Sequence, residues 1–184
     1  MAFRAPDRPL TDGVIALRQW RPDDVDAVVA MCQDAEIQRF TSVPANYTRD
    51  DALLFMAQQV AAEQRGSAVS LAIVDADRDD LLGSIDVRRQ DGGRATIGYL
   101  VAGPARGRGV ATRAVRLLSD WALRELGVAR LEIYVRPDNP ASQAVAERAG
   151  FAREAVLRSH LQIKGRRYDA VVFSRAADDV GSAA

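Results

Sequence analysis

The residues best placed to do chemistry lie between 106 and 113, in the order R-G-R-G-V-A-T-R. An apolar run from Ala95 to Val101 precedes them, and a helical pattern opens at Val110. Gly107 and Gly109 remove side chains where the backbone turns into that helix. The free amides of a helix start, with the dipole behind them, favour an anion. Arg106, Arg108 and Arg113 add fixed charge in the fork geometry that suits phosphate. The loop from Arg106 to Thr112 therefore predicts a site for a phosphorylated cofactor. The plain alternative is a glycine-rich turn with solvated arginines.

Two known phosphate loops fit poorly. A P-loop needs Gly-Lys-Ser/Thr, and no lysine follows Gly109. That argues against a nucleotide-binding regulatory domain. A dinucleotide fingerprint opens its βαβ unit, whereas this loop sits past the middle of the chain. What the loop resembles is the Arg/Gln-x-x-Gly-x-Gly/Ala signature of the GNAT superfamily of N-acetyltransferases, present as Arg106-x-x-Gly109-x-Ala111. The resemblance extends to L-R-Q-W-R-P-D-D at 17–24, I-G-Y-L-V at 97–101, D-N-P-A-S at 138–142, A-G-F at 149–151 and Y-D-A-V-V-F-S at 168–174. In that order they are similar to the RimJ/RimL-like ribosomal-protein alanine N-acetyltransferase branch.

The resemblance implies an acyl-CoA co-substrate, acetyl-CoA or another short acyl-CoA, with no metal. Its pyrophosphate would lie on Arg106, Gly107, Arg108, Gly109, Val110, Ala111 and Thr112. Backbone near Leu100 and Val101 would bind the pantetheine arm. Asn139 would contact that arm as well, and Ser142 would stand near the thioester sulfur as general acid. The bland reading of Asn139 and Ser142 is that they only cap a helix. The acceptor would be an amine, on a small molecule or a protein N-terminus, attacking directly in a ternary complex. The alternative is a catalytically inactive coenzyme-A-binding sensor or interaction module.

The general base is where the pattern breaks. The two positions where the family carries glutamate hold Thr96 and Leu161. The single histidine, His160, is a candidate base beside Leu161, but adjacent strand residues face opposite ways. His160 reaches the cleft only through a bulge or register shift. The competing expectation is an enzyme with no dedicated carboxylate base, losing the amine proton through water.

Composition sets the bounds. The chain has 184 residues, 48% apolar and 27% charged, with no net charge. This is ordinary for one globular domain and offers no global field to recruit nucleic acid or membrane. A single cysteine, Cys32, precludes an internal disulfide and reads as core. No apolar run is long enough to span a bilayer, so the expected location is cytoplasmic. Homodimerisation is left open.

The elements that must position these residues alternate. The expected strands are 14–18, 69–74, 81–87, 95–101, 131–135, 155–163 and 167–174, the last two around a Lys164-Gly165 turn. Helices are expected from Pro22 with Val25, Val28, Val29 and Cys32 inward, and from a Thr48/Asp51 capping box with Leu53, Met56 and Val60 inward. Two more begin at Val110 and at Asn139-Pro140. The fold class is thus α/β (α+β), a mixed, mostly antiparallel GNAT sheet of about seven strands with about four helices. By resemblance the sheet splays after its fourth strand, around a bulge at Gly98. The ordered core is expected over about 10–175, with ends 1–9 and 176–184 frayed. The acceptor end should be built from the first two helices, the loop at 40–47, and a last hairpin whose rim carries Lys164, Arg166 and Arg167.

Overall fold

The computed structural model describes residues 3–180. Its strands are β1 (Leu10–Thr11), β2 (Ile15–Arg18), β3 (Ala68–Asp75), β4 (Leu81–Arg89), β5 (Arg94–Val101), β6 (Arg130–Val135), β7 (Ala152–Ile163) and β8 (Arg166–Ala176). They form one sheet in the order β1-β2-β3-β4-β5-β6-β8-β7. Every neighbouring pair is antiparallel except β5–β6. Its helices are α1 (Val25–Cys32), α2 (Ala35–Phe40), α3 (Arg49–Gln64), α4 (Val110–Glu125) and α5 (Pro140–Arg148).

One face of the sheet carries the main core. Ala114, Val115, Leu118 and Ala122 of α4 are fully buried. They pack on alternate strand residues, among them Leu71, Ile85, Ile97, Ile133 and Phe173. This is the period of two meeting the period of 3.6. Burying a side chain such as Leu118 contributes about 1.5–3 kcal/mol. The opposite face is covered differently. Trp20 donates its indole N–H to Ser70 of β3 at 3.1 Å and stands edge-on to Phe55 of α3 at 5.5 Å. A smaller cluster of Val25, Val28, Cys32, Tyr47 and Ala52 forms there. Cys32 is buried, as expected, and burial pushes its thiol up to about 11.

Several expectations change. A two-residue strand that was not expected, β1, pairs outside β2 and makes the edge of the sheet. Helix α2 was not expected; Asp34 caps it, accepting from the amides of Glu36 and Ile37. On α3 the capping box of Thr48 and Asp51 forms, but Leu53 and Val60 are 48% and 56% exposed. The small residues Ala52 and Ala62 face inward instead. The start of the chain is not frayed from Phe3 on: Phe3 is buried in the main core, and Ala5 donates its amide to Glu63 at 2.8 Å. At the other end Ala177–Val180 form a 3-10 turn, with Ala176 donating to Asp179 at 2.8 Å.

The feature that makes a site is the β5–β6 junction. These parallel strands pair only over Arg94–Thr96 and Arg130–Glu132, then part. The expected splay is present. The expected bulge at Gly98 is not, since β4 and β5 pair without interruption from Arg89–Ala95 to Gly83–Val101.

Candidate active site

The start of α4 faces open space. Gly109 is its N-cap at φ +77°, and Gly107 sits at φ +72°. Both are left-handed, a conformation that side chains rarely adopt. A Cβ on either would meet nothing within 4 Å. The first intrahelical bond runs from Arg113 N–H to Gly109 O at 3.0 Å. Helix geometry leaves the amides of Val110, Ala111 and Thr112 without intrahelical partners. These three residues line, with Gly107 and Gly109, a cleft of about 470 Å³. A concavity of glycine backbone and amides suits a phosphate group.

The arginines are less free than the sequence implies. Arg106 binds Asp34 Oδ1 at 2.6 Å and donates from Nε to Val101 O at 3.2 Å. Arg113 binds Asp12 at 2.6 Å. Arg108 does not line the cleft; its field helps hold Asp75 in the charged state, after the backbone bond from Arg78. The backbone donors, not three unpaired arginines, are the principal feature of the cradle.

The cleft continues along the splay. Ala102 N–H bonds to Leu82 O, and a Cβ at Gly83 would lie 2.4 Å from Leu100 O. The carbonyl of Leu100 therefore points toward β4. Alternation turns the backbone of Tyr99 and Val101 into the gap. Leu100 lines the cleft by its side chain, so only Val101 of the expected pair offers main-chain groups.

At the mouth of α5, Asn139 Oδ1 accepts the amide of Ser142 at 3.1 Å, which satisfies a helix-start donor. Ser142 Oγ lies 2.8 Å from the hydroxyl of Tyr99, which also donates to Ser142 O at 3.1 Å. Burial pushes the Tyr99 phenol up to about 12. Asn139, Ser142 and Tyr99 all line the cleft. Tyr99 was missed from sequence because G-Y reads as strand; only the fold brings it to Ser142.

His160 lies elsewhere. The β7–β8 register shifts between Leu157 and Leu161, and Ser159 takes φ +51°. This is the distortion that His160 needed to change face. It lays the imidazole over the Tyr134 ring, centroids 4.4 Å apart and planes at 32°. The ring does not line the cleft, and the residue is exposed. Tyr134 in turn donates to Glu132 at 2.7 Å, and Arg130 Nε donates to the same carboxylate at 2.8 Å. Burial opposes the charge on Glu132, but these bonds outweigh it and hold its carboxyl below the usual range.

The hairpin rim is docked. Lys164 Nζ donates to Gln38 O at 2.5 Å, and Arg167 donates to Ser159 O at 3.1 Å. Arg136 is sandwiched near the rings of Tyr168 and Phe40, 3.9 and 5.1 Å from their centroids, and forks onto Asp138. Phe40, Ile37 and Thr41 make the α2 wall of the cleft. Among the described residues no cluster of His, Cys, Asp and Glu could hold a metal, and no helix is long and apolar enough to cross a membrane.

Known proteins share this fold. A family model described as an acetyltransferase (GNAT) domain matches residues 15–152. The uncharacterized N-acetyltransferase p20 of Bacillus licheniformis is 28% identical over 166 residues, covering 87% of this chain and 91% of that protein. A structure of RimL, a ribosomal L7/L12 alpha-N-protein acetyltransferase in complex with coenzyme A, aligns with a TM-score of 0.82 at 21% identity, over 94% of this chain and 99% of the other. Mycobacterium smegmatis RimJ in complex with CoA-disulfide aligns at 0.82 and 23% identity, over 94% of this chain and 87% of the other.

Proposed function

Since the chain belongs to the GNAT family of N-acetyltransferases, we propose that it moves an acetyl group from acetyl-CoA, or a similar short acyl group, to a primary amine on a small molecule or a protein N-terminus. The observation that carries this reading is the continuous cleft from the α4 amides, along the splayed edge of β5, to Ser142 and the α2 wall.

The parts fit the co-substrate. The glycine cradle leaves room for a pyrophosphate, and the amides of Val110, Ala111 and Thr112 would donate to it. The main chain of Val101, whose carbonyl Arg106 now holds, would pair with the amide-bearing pantetheine arm once Arg106 turns to the phosphates, as one strand pairs with another. Bound acetyl-CoA supplies a thioester, whose carbonyl carbon accepts the amine and whose sulfur leaves. What the protein adds is alignment, exclusion of water, and a hydroxyl at Ser142 to bond the departing thiolate. No covalent enzyme intermediate is needed. Cys32 is buried with a raised pKa and is unsuited to act as a nucleophile.

The test is calorimetry with acetyl-CoA, followed by thiol release against a panel of amines. Binding with amine-dependent thiol release is the expected outcome. Binding with no release from any amine would indicate a coenzyme-A-binding module instead. Absence of binding would remove the reading.

A further inference from the structure

The face of the sheet away from α4 carries a carboxylate that the site described so far does not use. Asp86 of β4 stands directly across from Gly98 of β5. A Cβ at Gly98 would lie 3.3 Å from Asp86 Oδ2, so the missing side chain is the space the carboxylate occupies. The row across the sheet is Ser70, Asp86, Gly98, and then the gap that β6 has left. Leu100, two residues along β5 and on the same face, lines the cleft. That step is roughly 7 Å. Asp86 itself does not line the cleft, but it shares the sheet face of Leu100, which does, and stands on the strand next to the vacant base position at Thr96.

Its partners are incomplete. Oδ1 is shut off from solvent and has no hydrogen-bond donor aligned on it. Arg88 Nε lies 2.9 Å from Oδ1, and its NH2 group makes a long 3.3 Å bond to Oδ2. Ser70 Oγ is engaged by Trp20. Burial outweighs Arg88 and raises the Asp86 carboxyl above the usual range. Glu132, another carboxylate on this face, differs. It pairs with Thr96 across β5–β6 and is already satisfied by Arg130 and Tyr134. Of the two, Asp86 is held by one side chain only, Arg88.

We propose that Asp86 receives the acceptor: it binds a primary alkylammonium and takes one N–H proton, leaving the nitrogen lone pair to attack the thioester in the splay. This rests on the N-acetyltransferase reading above. A primary ammonium gives up two protons in becoming an amide. One passes to Asp86 and on to solvent. The other balances the thiolate released when the C–S bond breaks, at Ser142. The new bond is N–C, and no oxidant or metal enters. Thr96 therefore does not mark a missing base. The carboxylate has moved to the neighbouring strand, and Gly98 gives it room.

The test uses n-butylamine and methoxyamine as probes, on the protein loaded with coenzyme A for binding and with acetyl-CoA for turnover. Asp86→Asn is nearly isosteric. Gly98→Ala is a second variant that keeps the carboxylate but crowds it. Wild type should bind n-butylamine in the coenzyme-A complex, and both variants should weaken that binding by about ten-fold or more while leaving coenzyme A affinity unchanged. In turnover, Asp86→Asn should lower kcat/KM for n-butylamine roughly 100-fold, and far less for methoxyamine, which arrives unprotonated. A purely structural role would lower both amines alike. Unchanged n-butylamine binding in Asp86→Asn, no n-butylamine binding to the wild-type complex, or equal losses on the two amines would each overturn the proposal. Failure of coenzyme A itself to bind would instead remove the N-acetyltransferase reading, and this proposal with it.

Discussion

The phenol of Tyr99 and the hydroxyl of Ser142 are 2.8 Å apart, and the same phenol donates to the Ser142 carbonyl at 3.1 Å. One proton cannot serve both bonds at full strength. When Tyr99 donates to the carbonyl, Ser142 gives its proton to Tyr99. When Tyr99 donates to Oγ, the Ser142 proton is free for a thiolate. Ser142→Ala should lower kcat by roughly 10- to 100-fold with little change in acetyl-CoA affinity. Tyr99→Phe should lower kcat less, and the double variant should match Ser142→Ala alone, because the two act as a unit. Additive losses in a double-mutant cycle would separate them.

Gly109→Glu attacks the cradle. The substitution places a side chain in the open space before α4, forces a left-handed φ on a glutamate, and adds a charge like that of the phosphates. Acetyl-CoA affinity should fall by more than about 2 kcal/mol, read by calorimetry on a folded variant. Unchanged affinity would move the phosphates elsewhere.

Arg18 and Asp24 form a buried fork, both bonds 2.8 Å, with Asp79 on the Arg18 Nε at 2.7 Å. Burial works against the Asp24 charge, but Arg18 and the Arg21 amide outweigh it, and its carboxyl lies below the usual range. A depressed carboxylate adds stability that is complete above its unfolded pKa, near 4, and is lost as pH falls through the folded value. Asp24→Asn should therefore cost about 3 kcal/mol at neutral pH, by leaving Arg18 buried with one partner fewer. The gap to wild type in urea unfolding should narrow on acidification. A gap independent of pH would contradict the linkage.

His160→Ala should leave turnover within about two-fold, since the ring is exposed and away from the cleft, and should lose only the stacking on Tyr134, about 1 kcal/mol. Steady-state kinetics with one verified acceptor, beside a thermal melt, check both halves. A large kinetic loss with an unchanged melt would return His160 to the site.

Local signals in the sequence were sound. The Thr48 box, the Asn139 cap, the glycines before α4 and the Lys164-Gly165 turn each depend on neighbours within a few residues. Helical spacing located α3 but not its inward side, because Leu53 and Ala52 fit the same period on different faces. Helix α2 has six residues, too few to show a period. The site was harder for the same reason. Gly98 pointed to a bulge, but what it makes room for is Asp86, from a neighbouring strand. The arginines pointed to phosphate, but Asp34 and Asp12, distant in sequence, hold two of them.

Asp34 holds both sides of the cleft. One of its oxygens accepts the first amides of α2, the wall against which an acceptor would rest, and also meets Arg106 from the loop beneath α4. An anion drawing Arg106 away would leave Asp34 to the α2 amides alone and free the Val101 carbonyl that Arg106 now occupies. A single guanidinium thus ties the loop before α4 both to the cap of α2 and to the edge of β5.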